Sequence, residues 1–134
     1  MHRRSWLKSI TLLGLGVTAA RAATADDAKP IVLYCDMAVD PRREQEMLDA
    51  YHNHFKPVAI QHDGYIDLKI VKLRQVIQGG PPPVKGFNYR FQLTYKNEAL
   101  RQKWIASADH AKNWPLIENT LVDKNYLVLL TDAV

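Results

Sequence analysis

The chain has 134 residues, 47% of them hydrophobic and 24% charged, with a formal charge of +4; that length suits one domain with its own core. Four of the 18 basic residues, Arg3, Arg4, Lys8 and Arg21, fall in the first 25 positions, where there is no acid, so the rest of the chain holds 14 basic and 14 acidic side chains and its charge gives no ground for nucleic-acid binding. Cys35 is the single cysteine, which excludes an intramolecular disulfide framework.

Residues 1–25 read as a cleaved export leader. A basic start is followed by an apolar run over residues 10–20, diluted by Gly14, Gly16 and Thr18, and then by small residues. That run is too short for a transmembrane span, which needs roughly 20 apolar residues. Cleavage fits after Ala22 or after Ala25, and the polar boundary at Asp26-Asp27 favours the second. The stretch Arg3-Arg4-Ser5-Trp6-Leu7-Lys8 resembles the bacterial twin-arginine signal, with Trp6 where that signal usually has Phe. The resemblance implies export in the folded state by the twin-arginine machinery. An ordinary secretory leader with paired arginines is the alternative. Either leads to a periplasmic or secreted protein with no membrane anchor after cleavage. In such an oxidising compartment Cys35 is expected to be a small buried apolar side chain.

Residues 31–38 form an apolar run short enough to be a strand buried on both faces. Asp40-Pro41 follows, with Asp40 suited to cap a helix and Pro41 to its first position. Leu48, Tyr51, Phe55 and Val58 then recur at helical spacing, and Pro57 predicts either a kink or the start of a last irregular turn near the helix end. His62-Asp63-Gly64 signals a turn. Residues 65–77 read as a long strand whose apolar set changes parity between Ile70 and Val71, which predicts a β-bulge there. Residues 79–83, Gly-Gly-Pro-Pro-Pro, must be a loop.

Phe87, Tyr89, Phe91, Leu93 and Tyr95 alternate with polar residues as a half-buried strand does. A second helical region starts at Asn97-Glu98, carries Leu100 and Trp104, restarts near Asp109-His110 and continues with Trp114, Ile117 and Leu121. Residues 125–131 form the last apolar strand. The order βαββαβ predicts one α+β domain over residues 26–134, a ferredoxin-like sandwich with helices on one face of a four-stranded antiparallel sheet. Ile31, Leu33 and residues 127–130 offer apolar groups on both strand faces. Such a sheet needs a second layer, most simply from a symmetric homodimer.

Three segments, taken together, carry a family resemblance: the first strand running into Asp40-Pro41 and a helix; His62-Asp63-Gly64-Tyr65; and residues 95–110, where Glu98-Ala99-Leu100 is followed by Ser107-Ala108-Asp109-His110. In these the chain resembles the dimeric α+β barrel superfamily, and within it the antibiotic biosynthesis monooxygenase-type domains. The resemblance spans residues 31–131. It implies two sheets packed face to face and a pocket between helices and sheet in each subunit. It also implies either cofactor-independent oxygenation of electron-rich aromatic or quinol substrates or, in another branch, haem degradation.

His110 is the foremost candidate residue. A neutral imidazole can deprotonate a phenol or coordinate haem iron; the competing reading makes Asp109-His110 a solvent-facing helix cap. The haem-degrading branch implies an iron-binding role for His110 with Trp104 nearby, but the asparagine which that branch carries on its first strand has no counterpart in Tyr34-Cys35-Asp36-Met37. Trp104 joins His110 as a catalytic candidate. Trp114, Phe91, Tyr51, Tyr34 and His62 are candidates for binding a flat substrate, with simple core packing as the alternative.

His52 and His54 stand two apart, off the spacing of three or four that a helical metal pair needs, so no metal site is expected. Asp36 and Arg90 are charged residues within strands, with two readings: a pair across the sheet, or a reach to the dimer interface. Gly-x-Ser-x-Gly, Cys-x-x-Cys and a glycine-rich phosphate cradle are absent from the sequence, which argues against hydrolase, thiol-redox and nucleotide chemistry. The expected function is oxidation of a small aromatic or quinol-type molecule by an exported monooxygenase-like homodimer without a tightly bound cofactor. A haem-binding or haem-processing protein and a non-catalytic ligand-binding module are the alternatives.

Overall fold

A computed structural model describes residues 29–79 and 86–134. The leader, both cleavage sites and residues 80–83 of the proline loop lie outside the described residues. Strand β1 (Ile31–Met37) leads through a 3-10 turn (Pro41–Arg43) into helix α1 (Glu44–Ala50), a π-helical turn (Tyr51–Phe55) and α2 (Lys56–Ala59). Strands β2 (Tyr65–Lys72) and β3 (Tyr89–Tyr95) follow, then α3 (Glu98–Ile105), α4 (Ala108–Glu118) and β4 (Leu127–Asp132).

The strands form one antiparallel sheet in the order β2-β3-β1-β4. Each helical segment carries the chain past one intervening strand, the βαβ connection expected of a ferredoxin-like sandwich. Ile31, Cys35 and Met37 of β1, Leu68 of β2, and Phe91, Leu93 and Tyr95 of β3 are buried. They pack with Met47, Tyr51, Phe55, Trp104 and Ile117 from the helical layer.

The local signals act through identifiable bonds. Asp40 Oδ1 accepts the Arg42 backbone N–H at 2.9 Å, with Pro41 in the first turn. Asn97 Oδ1 accepts the Leu100 N–H at 2.8 Å and starts α3. The kink expected at Pro57 is a π-helical turn directly before it, where the Lys56 N–H reaches back to the Tyr51 carbonyl. A proline ring in a helix collides with the carbonyl four residues earlier and has no N–H to offer it. The widened turn relieves both problems.

Two expectations need correction. The β-bulge lies between Tyr65 and Asp67, not at Ile70, and the pairing from Asp67 to Lys72 is regular. Val71 sits opposite Arg90 on the sheet face turned away from the helices, and since that face also carries apolar groups, a change of apolar parity did not mark a bulge. The second correction concerns the break between α3 and α4. Ser107, not Asp109-His110, caps α4: its Oγ accepts the His110 N–H at 3.2 Å while donating to the Trp104 carbonyl at 2.6 Å.

On the outer face Asp36 and Arg90 are register partners, joined by two hydrogen bonds of 2.7 and 3.0 Å. The turn into β2 depends on Gly64, whose φ is +93° and whose position faces Leu100. A Cβ there would stand 2.7 Å from Leu100 Cβ. Gly64→Ala is therefore expected to lower unfolding free energy by about 2 kcal/mol, read as a reduced midpoint in urea titration; an unchanged midpoint would contradict this account of the turn.

Candidate functional site

A cavity of about 350 Å³ lies between α3, α4 and the helix-facing side of the sheet. Leu33, Cys35, Phe91 and Leu93 form its sheet side. Phe55, Trp104 and Trp114 supply aromatic walls, and Arg101, His110, Glu118 and Tyr126 are its polar groups. Val128, on the helix-facing side of β4 opposite Cys35, also lines it and is half exposed. Its size and largely apolar lining fit a small flat ligand held by a few polar contacts.

His110 is positioned by the Ser107 break, which starts α4 with the imidazole turned toward α3. Its ring meets Trp104 edge-on at 5.2 Å and Phe55 edge-on at 6.0 Å, and stacks on Trp114 at 6.1 Å with 17° between the planes. Burial pushes its pKa below the usual value, and the nearby Arg101 cation pushes in the same direction, while the Glu118 carboxylate opposes them. The imidazole is thus neutral at pH 7 and able to take a proton. Arg101 is held on α3 by Glu98, which accepts from its Nε and Nη2 at 2.5 and 2.6 Å.

At the far end of α4, the Tyr126 hydroxyl donates to Glu118 Oε2 at 2.7 Å, and Trp114 Nε1 donates to the same hydroxyl at 3.3 Å. Burial raises the Tyr126 pKa, and so does its bond to Glu118. Cys35 is a buried thiol whose pKa is pushed up to about 12, mainly by burial and further by Asp36, so it presents no thiolate.

His110, Trp104, Trp114 and Phe91 are brought together around this one cavity. Tyr51, Tyr34 and His62 stand elsewhere. Tyr51 is buried behind Phe91, ring edge to ring face at 5.4 Å, with its hydroxyl donating to the Leu68 carbonyl at 3.3 Å. Tyr34 is on the opposite side of the sheet beneath the Arg90 guanidinium, 4.9 Å from its ring centre. His62 packs behind Trp104 at 4.7 Å and places Nε2 2.9 Å from Asp109 Oδ2; it braces the indole without lining the cavity.

Arg101, Glu118 and Tyr126 escaped the sequence reading. Glu118 follows His110 and Trp114 at successive spacings of four, a helical stripe that could have revealed it. Arg101 and Tyr126 carry no such local signal, because they reach the cavity from another helix and from the approach to β4. A second hollow, of about 390 Å³, lies on the outer face beside Leu73, Phe87 and the Asp36–Arg90 pair, whose two charges satisfy one another. Among the described residues, no three His, Cys, Asp or Glu side chains converge to hold a metal ion, and no helix is long and apolar enough to cross a membrane.

No family model matches the chain, and no curated protein matches it by sequence. Solved structures do match in fold. A putative antibiotic biosynthesis monooxygenase from Bordetella bronchiseptica superposes with a TM-score of 0.62 at 13% identity, covering 79% of this chain and 98% of its own. Hydroxynitrile lyase from Passiflora edulis gives a TM-score of 0.61 at 11% identity, covering 80% and 95%. A dimeric ferredoxin-like protein of unknown function from Jannaschia gives 0.60 at 12%, covering 78% and 98%. The chain has the ferredoxin-like α+β fold of these structures. Identities this low carry the fold and no activity.

The partly buried imidazole makes stability depend on pH in a defined direction. The His110 pKa is lower in the folded chain than the ordinary 6.5, so between those two values the unfolded chain binds more protons and stability rises with pH. Above that window the contribution is complete; it is lost as pH falls through it. Urea unfolding at about pH 5 and about pH 7 should show a smaller gain in His110→Gln than in wild type. Equal gains in the two proteins would contradict burial of a neutral imidazole.

Proposed function

We propose that this chain is an exported, homodimeric monooxygenase-like enzyme that oxidises a small aromatic or quinol-type molecule in the His110 cavity, with no tightly bound cofactor. The observation that carries this reading is an imidazole held among Phe55, Trp104 and Trp114, beside the Arg101 cation, in a mostly apolar cavity. The fold shared with an antibiotic biosynthesis monooxygenase supports it.

His110 takes the proton of a phenolic hydroxyl, and the anion that forms is favoured by the Arg101 cation, whose attraction is stronger away from bulk water. The electron-rich ring then supplies all four electrons that reduce O₂. One oxygen atom becomes a new carbonyl on a ring carbon that carried two hydrogens in the keto tautomer; the other leaves as water with those two hydrogens. The aromatic walls hold the ring in place and keep other proton sources away. Trp104, braced from behind by His62, is the wall against which the imidazole is set.

The homodimer is supported by the outer sheet face, where Val71, Leu73, Leu127 and Leu129 are large apolar side chains left exposed in the single chain. Neighbours of the same fold are described as dimeric. Packing two such faces together would remove that apolar surface from water. Light scattering of the exported form should give twice the chain mass, and Leu129→Asp should give the single mass; a wild-type monomer would end the pairing model. Intact mass of the same sample reports the processed N-terminus.

Oxygen uptake with hydroquinones or polyphenols is expected in wild type and should fall on the order of a hundredfold in His110→Ala. Turnover that survives the substitution removes His110 as the base. A Soret band on haem titration that disappears in His110→Ala, without oxygen uptake, would replace this reading with haem binding. Ligand binding with no turnover and no dependence on His110 would leave a binding module.

A further inference from the structure

Helix α4 offers the cavity two polar ends. His110, Trp114 and Glu118 are separated by four residues each, so all three face one side of the helix. At about 1.5 Å rise per residue, the imidazole and the carboxylate are rooted roughly 12 Å apart. Trp114 lies between them: it stacks on His110 at 6.1 Å and meets the Tyr126 ring edge-on at 5.6 Å. A flat molecule lying along this indole has His110 at one end and the Glu118–Tyr126 pair at the other.

The two ends differ in hydrogen-bonding character. Glu118 Oε2 accepts from Tyr126, while Oε1 has Lys124 Nζ at 3.9 Å, outside hydrogen-bond range. A partly buried carboxylate with acceptor capacity to spare favours a further donor. The Tyr126 hydroxyl has committed its own proton to Glu118 and already accepts from Trp114 Nε1, so toward a ligand it too can only accept. This end recognises a donor and repels an anion. The His110 end, with Arg101 nearby, takes a proton and tolerates the negative charge that results.

We infer that Glu118, oriented by Tyr126, determines specificity by accepting a hydrogen bond from a second hydroxyl at the far end of the ligand, so that the preferred ligand is a dihydroxylated aromatic ring and not a simple phenol or an aromatic acid. The inference rests on the cavity being the ligand site, as proposed above. It adds Glu118 as a residue that touches the ligand, with Tyr126 as its positioning partner.

Calorimetric titration without oxygen separates binding from turnover. The probes are hydroquinone, its monomethyl ether 4-methoxyphenol, and 4-hydroxybenzoate. Wild type should bind hydroquinone about tenfold more tightly than 4-methoxyphenol, the worth of one hydrogen bond to a charged acceptor, and should bind 4-hydroxybenzoate more weakly than either. Glu118→Gln should bring hydroquinone and 4-methoxyphenol within about twofold of each other, Tyr126→Phe should narrow the gap, and His110→Ala should weaken both without closing it. A purely structural Glu118–Tyr126 pair would lower unfolding midpoints in these variants and leave the preference intact, which overturns the inference. Equal binding of the two phenols by wild type also overturns it while the cavity stands as a ligand site. Binding of neither overturns both, whereas the predicted preference without oxygen uptake supports Glu118 and removes only the oxygenase chemistry.

Discussion

Phe55 joins the sheet to both helices of the C-terminal half. Its ring meets Phe91 on β3 at 5.4 Å, Trp104 on α3 at 5.5 Å, and His110 and Trp114 on α4 at 6.0 and 5.9 Å. These are the edge-to-face contacts that aromatic quadrupoles favour, each adding to the apolar area already buried. Phe55 itself stands at the end of the π-helical turn that precedes Pro57. A proline that could not continue a regular helix has thus shaped the segment carrying the ring around which the cavity is assembled. π-turns of this kind occur often beside functional sites, and here the association has a steric cause.

The same cluster accounts for the electrostatics of the site. Aromatic rings withdraw the His110 imidazole from water without hydrogen-bonding it, so its charged form is disfavoured. Arg101 strengthens that preference, and its pairing with Glu98 keeps it in place. The distribution of charge is uneven: a cation lies near the beginning of α4 and a carboxylate near its end, with Trp114 between them. Shape and polarity both come from helices meeting the sheet at a place where β4 is left partly uncovered.

The two sides of the sheet have different tasks. The helix-facing side is mostly core, open near β4 and at Lys72 on the β2 edge, while the outer side mixes exposed Leu127, Leu129 and Val71 with the closed Asp36–Arg90 pair. An outer side that is apolar in part and satisfied in its charges suits contact with a second protein surface. It also obscured the reading of β2, because alternation reports one buried face only when the other is polar. That is why alternation pointed to a bulge at Ile70 when the register shifts between Tyr65 and Asp67.

Much of the fold was legible because its signals are local. Asp40 and Asn97 cap helices through bonds to backbone groups two or three residues away, Gly64 supplies a positive φ, and β3 alternates cleanly from Tyr89 to Tyr95. The stripe His110, Trp114, Ile117 and the position of Trp104 could be read from helical spacing. Ser107 was passed over as a cap because Asp109 offered an equally good side chain two residues later, and only the bond to the Trp104 carbonyl distinguishes them. Tyr34 and Phe91 look alike as aromatic strand residues, yet they face opposite sides of the sheet, and spacing within a strand cannot say which side the helices will cover. The sequence by itself determined the elements, their order and the residues that can hold or move a proton. Tertiary structure alone decided which of them share a cavity, since Arg101 and Tyr126 join the stripe of His110, Trp114 and Glu118 through packing between α3, α4 and the approach to β4, over separations that leave no periodic trace in the chain.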